Sequence, residues 1–278
     1  MGLTIHYDLS LPNNSLSAKK KKLAAIRHKC LDLPFQSVGE MLDLSGDDCN
    51  LDKRKVEDAL LRRFLVQSAK HVDYVFDSRG KPYQINSPED GAYYSERVAP
   101  ERVIGFIINS GAGCEPVNVG LRLMPKCLRG ISKDGLNHAE LKLDGKWGWS
   151  GHCKTQYASN PGYGGSMENF LRCHLSIVAM LDHARELGFE LDVSDEGGFY
   201  ESRNIEELCK ELEHQNSMMA GFDGMLKDAI DPKGKGKLEG SMFSNPNFER
   251  LEMTGRGKID PKLIALISQV VKKDIRES

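Results

Sequence analysis

The first eleven residues alternate. Leu3, Ile5, Tyr7, Leu9 and Leu11 fall on one side of an extended chain, and Thr4, His6, Asp8 and Ser10 on the other. A period of two predicts a half-buried strand. The period then changes. Leu23, Ile26, Cys30 and Leu33 recur at helical spacing, while the lysine run at 19–22 faces solvent, so residues 15–33 read as a helix. Pro34 stops it. The stretch "VGEMLDLSG" reads as a short strand, and the chain opens β-α-β.

Residues 53–76 are ambiguous, helical in spacing early and strand-like late. "RVIGFIINS" is a near-continuous apolar run of the kind found in a buried strand, and "VNVGLRLMP" is a second. "HAELKLDGKWGWSGHCKTQYA" reads as a hairpin, two alternating runs joined at Asp144-Gly145. Ser166, after the glycine-rich "NPGYGGS", is an N-cap candidate for a helix running to about Leu187 and ended by Gly188. "FELDV" is a short strand. Asn204 and Glu207 form a capping pattern before a long helix with Leu208, Leu212, Met219 and Phe222 on its apolar face. Beyond Pro232 the period is lost until Asp260-Pro261 opens a last amphipathic stretch. The pattern predicts an α+β fold: a mixed, mainly antiparallel sheet with helices packed largely on one face. Residues 1–231 form one domain in this reading, and residues 232–278 a basic linker or tail ending in a helix.

Charge changes this picture little. A formal net charge of −2 gives no overall pull toward nucleic acid or acidic lipid. Residues 232–278 carry 10 Lys and Arg against 6 Asp and Glu. A basic tail on an acidic body points to docking on the same chain, and a nucleic-acid partner is not expected. No apolar run is long enough to span a bilayer. The start lacks the basic and apolar regions of a secretory signal, and His6 stands where a myristoylation pattern has Ser or Thr. Seven cysteines stand singly with no C-x-x-C, which points to reduced thiols in the cytoplasm and away from a zinc site of the usual kind.

Two stretches carry the candidate chemistry. In "WGWSGHCKTQYA", alternation puts Trp147, Trp149, Cys153, Thr155 and Tyr157 on one face. Ser150, His152, Lys154 and Gln156 fall on the other, a row of donors and titratable groups on a rigid element. The plainer reading is a solvated sheet face. In "ELDVSDEGGFYESRN", Asp195 and Glu196 precede two glycines and an aromatic pair at a strand end. These acids suit a cation, an amine or a general base. The plainer reading is a turn whose carboxylates pair with Lys154, Arg172 or Arg203. His174 shares a helix face with Phe170, Ile177, Val178 and Leu181 and points inward, as a core histidine or as a proton-transfer partner of Asp195. Cys114, between Gly113 and Glu115 after a buried strand, is a weaker nucleophile candidate, with no histidine tied to it by sequence. His152, Asp195, Glu196 and His174 are metal-ligand types without diagnostic spacing; no metal or cofactor is assigned.

"LTIHY", "GCEPVNVGL", "CKTQYAS", "NFLRCHLSIVAMLDHARELG" and "VSDEGGFYESRN" together resemble a family of bacterial proteins over roughly residues 1–230. The resemblance implies no activity, cofactor or catalytic residue. From the residues alone, the first expectation is a binding or interaction protein of the cytoplasm. His152, Lys154 and Gln156 would face Asp195, Glu196, Tyr200 and Arg203 across a polar site for a small ligand or a protein partner. The alternative is a hydrolase using His152, Glu196 or His174 in acid–base chemistry, with or without a metal.

Overall fold

The computed structural model describes residues 2–11, 15–53, 55–85, 93–131, 139–230, 240, 242–260 and 262. Its main sheet is built from β1 (Thr4–Ser10), β2 (Ser37–Val38), β3 (Leu42–Ser45), β7 (Arg102–Asn109), β8 (Val117–Leu123), β11 (Trp147–Lys154) and β12 (Glu190–Asp195). The order is β12-β1-β11-β8-β7-β2, with β3 also on β7. Every strand pairing recorded among the described residues is antiparallel. With the helices α1 (Leu16–Leu31), α2 (Ala59–Ser68), α3 (Met167–Glu186), α4 (Phe199–Ser202), α5 (Ile205–Ile230) and α6 (Phe248–Arg256), this is the α+β fold that the hydropathy pattern predicts.

β1 shows how the pattern becomes architecture. Leu3, Ile5, Tyr7, Leu9 and Leu11 are all buried, while His6 and Asp8 stay exposed. Burying one face of a strand needs partners on both edges, and β1 finds them far away in sequence: β11 on one side and β12 on the other. The opening is therefore not a local β-α-β unit. α1 leaves the sheet edge and packs on α3, contributing Leu23, Ile26 and Cys30 to the core.

β11 meets β8 only at Trp147 and Gly148, although it runs beside β1 for most of its length. Beyond that point the sheet opens, and α2 occupies the gap. Phe64 stacks on Trp149 with ring centroids 5.1 Å apart. Gln67 donates to Ser150 O and accepts from Asn118 Nδ2, bridging the two strands. Phe64 also lies over Gly105, which faces Gly120 across β7 and β8. A Cβ at Gly105 would stand 2.8 Å from the Gly120 Cα, so only glycine lets the backbones approach this closely.

A second, smaller core joins two outlying sheets. β4 (Lys70–Phe76), β5 (Pro82–Gln84) and β6 (Tyr94–Val98) form one; β9 (Cys127–Ile131) and β10 (Ala139–Lys142) form the other. Val72, Tyr74, Val98, Met124 and Leu141 fill the space between them. The hairpin expected at Asp144-Gly145 does not form: β10 pairs with β9, and β11 with β1 and β8. Gly145 does take a positive φ of 58°, so the turn was legible and its pairing was not.

α6 is the other departure. It lies inside the segment read as linker, and it packs on α5 through Leu251 and a backbone contact of Gly255 with Ser217 and Gly221. Met242 is fully buried there. The final amphipathic stretch beyond Asp260 falls outside the described residues apart from position 262.

Candidate functional site

Alternation at the end of β12 sends adjacent acids to opposite faces of the sheet. Asp195 turns inward with 8% of its surface exposed. Its carboxylate accepts backbone N–H groups from Gly197 at 2.8 Å and Tyr200 at 2.9 Å. His174 Nε2 lies 3.1 Å from Asp195 Oδ2, and His174 Nδ1 lies 3.0 Å from Thr155 Oγ1. An ionised carboxylate only accepts, so Nε2 carries the proton that joins imidazole to Asp195. Burial pushes the Asp195 carboxyl up. The hydrogen bond and charge of His174, with the two backbone N–H groups, outweigh it and hold the pKa below the ordinary carboxylate value.

Hydroxyl, imidazole and carboxylate stand in the order of a nucleophilic triad. Yet Thr155 and His174 are fully buried, and the histidine ring packs against Phe170 and Phe199. No substrate atom reaches the hydroxyl in this closed state. The three residues tie the end of β11, the middle of α3 and the turn into α4 to one another.

Glu196 faces the other way. Its Oε2 accepts the Thr4 N–H at 2.8 Å, and its Oε1 lies 4.0 Å from His6 Nε2. From there the outer face of β12, β1 and β11 is polar row by row. Ser194, His6 and His152 form one row, and Asp192, Asp8 and Ser150 the next. At the far end Ser10 Oγ donates to Glu190 Oε2 at 2.6 Å. His152 is pushed below the usual histidine value, chiefly by desolvation. Arg63 and His6 push the same way and Glu115 opposes them.

The seven residues predicted to share one site divide. His152 and Glu196 lie on the open face, and Lys154, half-buried, holds its ammonium over the Tyr157 ring, 4.5 Å from the centroid. Asp195, Gln156 and Tyr200 are buried. Gln156 departs from the alternation because β11 ends at Lys154 and the chain turns into a 3-10 turn at Gln156–Ser159. Gln156 Nε2 then donates to Asn216 Oδ1 at 2.9 Å, inside the protein. Arg203 belongs to the helical side. It forks onto Asp182 at 2.7 and 2.8 Å and stacks over Tyr200, whose ring also carries Arg185. Its φ of 55° is the one left-handed value recorded for a non-glycine residue among those described.

At the Asp8 end the open face deepens into a cleft of about 460 Å³. The acids are Asp8, Asp144, Glu190 and Asp192; the bases are Lys70, Arg122 and Lys146; half-buried Trp147 supplies apolar area. Arg122 is only 9% exposed. One of its guanidinium nitrogens donates to Gln67 O at 2.7 Å and to Ala69 O at 3.4 Å, satisfying the carbonyl end of α2. Burial lowers its pKa, and the charges of Asp8 and Asp144 act against that.

The cleft lies on the two strands that the sequence singles out, those of Ser150 and Asp192, toward their other ends. Asp8 was visible as an outward residue next to His6. Arg122 was hidden inside a run that reads as uniformly buried.

No family model, curated protein or solved structure matches this chain. Among the described residues, no group of three or more His, Cys, Asp or Glu is arranged to hold a metal ion. In particular, His174 and Asp195 lie inside the sheet while His152 and Glu196 lie outside it. No described helix is long and apolar enough to cross a membrane.

Proposed function

We propose that this chain binds a compact zwitterion, about the size of a dipeptide, in the cleft at Asp8 and Asp192. The observation that carries the reading is the direct cross-strand opposition of these two carboxylates in a cleft also lined by three basic side chains. Like charges placed opposite one another on neighbouring strands are destabilising. An ammonium group between them relieves that repulsion. The guanidinium of Arg122 and the ammonium groups of Lys70 and Lys146 suit an anionic group on the same ligand. The indole of Trp147 offers flat area for what lies between. The cleft volume falls within the range of small-molecule sites, and a concave site favours a small ligand over a protein partner.

A binding role needs no nucleophile. The hydrolase reading has less support. His6 stands between His152 and Glu196 in the sheet, and the one complete hydroxyl–imidazole–carboxylate arrangement is sealed.

Calorimetric titration with alanyl-alanine and its two singly charged forms tests the reading. The N-acetylated dipeptide lacks the ammonium, and the C-terminal amide lacks the carboxylate. Loss of either charge is expected to weaken binding about tenfold or more, the scale of one hydrogen bond to a charged group. Asp192→Asn should weaken the free dipeptide and leave the acetylated one unchanged. Equal affinity for all three forms, or binding of none, contradicts the proposal.

A further inference from the structure

A second feature lies on the helical side of the same strand. β11 carries Cys153 on its buried face, and the loop after β7 brings Cys114 against it, with the two sulfurs 3.6 Å apart. The approach is held in place from both sides. Glu115 N donates to Lys154 O at 3.1 Å, and Lys154 N donates to Glu115 Oε2 at 3.0 Å, so residues 114–115 lie along β11 like a short extra strand. Cys153 Sγ donates to Glu115 O at 3.1 Å. Cys173, on α3, donates to Ser110 O at 3.3 Å and also interacts with Cys114.

Access differs sharply among these thiols. Cys153 and Cys173 are fully buried, and Cys114 is partly exposed. The loop that carries Cys114 depends on glycine: Gly111 and Gly113 both take positive φ, at 151° and 69°. One thiol is half-buried in a loop, and a second lies against it on a strand. A disulfide needs sulfurs about 2.05 Å apart. Forming the bond requires the 3.6 Å contact to close to that length.

We propose that Cys114 and Cys153 form an oxidisable dithiol site that reacts with small disulfides. In the first step the Cys114 thiolate attacks a sulfur of the small disulfide, forming a mixed disulfide and releasing one thiolate. In the second step the Cys153 sulfur, having given up its proton, attacks the Cys114 sulfur. The protein disulfide forms and the second thiolate leaves. Two protein thiols are oxidised, one small disulfide is reduced to two thiols, and the two protons end on those thiols. Cys114 is the entry point because it is the less buried of the pair, and Cys153 is the resolving thiol because it is already in van der Waals contact.

The chemistry has a built-in pace. The Cys114 thiol is pushed up, first by its contact with Cys153 and further by burial; Cys173 and Ser110 act against this. Reaction through a thiolate therefore quickens with pH, about tenfold from pH 7 to pH 8 while the thiol remains mostly protonated.

The test is peptide mapping of the whole native chain after incubation with oxidised glutathione and alkylation of the remaining thiols. The expected product has two of the seven cysteines lost together, a linked Cys114–Cys153 peptide, and an initial rate that rises about tenfold from pH 7 to pH 8. Cys153→Ser should stop at a glutathione adduct on Cys114, and Cys173→Ser should still give the linked peptide. Three results overturn the proposal: a Cys114–Cys173 link, a stable adduct on Cys114 in the unsubstituted chain, or no reaction until the protein is unfolded. The unsubstituted chain decides the matter even where a variant fails to fold.

Discussion

Two histidine–carboxylate arrangements meet at the end of β12, where Asp195 and Glu196 are neighbours in sequence, and they have opposite fates. On the inner face His174 and Asp195 are sealed, satisfied and bonded to Thr155. On the outer face His6 and His152 stand beside Glu196 in water, with the nearest imidazole–carboxylate approach at 4.0 Å. The residue types are the same. What differs is the pleat, which sends neighbours 195 and 196 to opposite sides. A hydrogen-bonded network in a low-dielectric core specifies structure strongly, because any missing member leaves a buried polar group unpaired. The same groups in solvent cost little to rearrange and remain free to meet a ligand.

The largest expected effect sits on the sealed side. Asp195→Ala removes the acceptor for His174 and for two backbone N–H groups. Breaking a buried pair of this kind costs about 3–5 kcal/mol, read as a fall in the urea midpoint with an unchanged slope. Asp195 also sets an acid limit. Its folded pKa is depressed, so its contribution is complete above the ordinary carboxylate value of about 3.9 and is lost as pH falls through the folded value. Asp195→Asn should therefore flatten the loss of stability below about pH 4. If stability of the unsubstituted chain and of this variant fall in parallel on the acid side, Asp195 is not ionised in the fold.

Gly105→Ala comes next. The new methyl meets the backbone of β8 and the Phe64 ring, neither of which yields easily. Overpacking of this kind costs about 1–3 kcal/mol, measurable by thermal or urea unfolding. Thr155→Val keeps the shape and leaves His174 Nδ1 unpaired, at about 1–3 kcal/mol. If Thr155→Val is neutral, the hydroxyl is not part of the sealed network.

The smallest effects belong to the open face. His152→Ala and Glu196→Gln should each change stability by no more than about 0.5 kcal/mol. A collapse of the melting temperature in either would show that the outer face is structural too, and would erase the contrast.

Much of the fold is legible in the sequence where a residue's surroundings are set by its own strand or helix. The alternation of β1, the Ser166 and Asn204 caps, and the inward face of His174 are all local facts, and all stand in the structure. Pairing is not local. Asp144-Gly145 has the backbone of a turn, yet the flanking strands bond to partners elsewhere: β11 lies between β1 and β8, and β10 pairs with β9. Gln156 shows the other failure: periodicity carries no mark of where a strand ends, and two residues past Lys154 the side chain enters the core. α6 escaped notice because only Phe248 and Leu251 mark its packed face, and the rest of its contact with α5 is made by glycine. The acidic pair at 195–196 reads as one unit along the chain and is two units in space.

Backbone amide NMR during a titration with alanyl-alanine separates the two faces in one experiment. The predicted result is saturable movement of the Asp8 and Asp192 amides and of the Trp147 indole N–H, with the Gly197 and Tyr200 amides, which are bonded to Asp195, unmoved. Movement at Gly197 and Tyr200 with none at Asp8 would put the ligand at the sealed histidine and contradict the account.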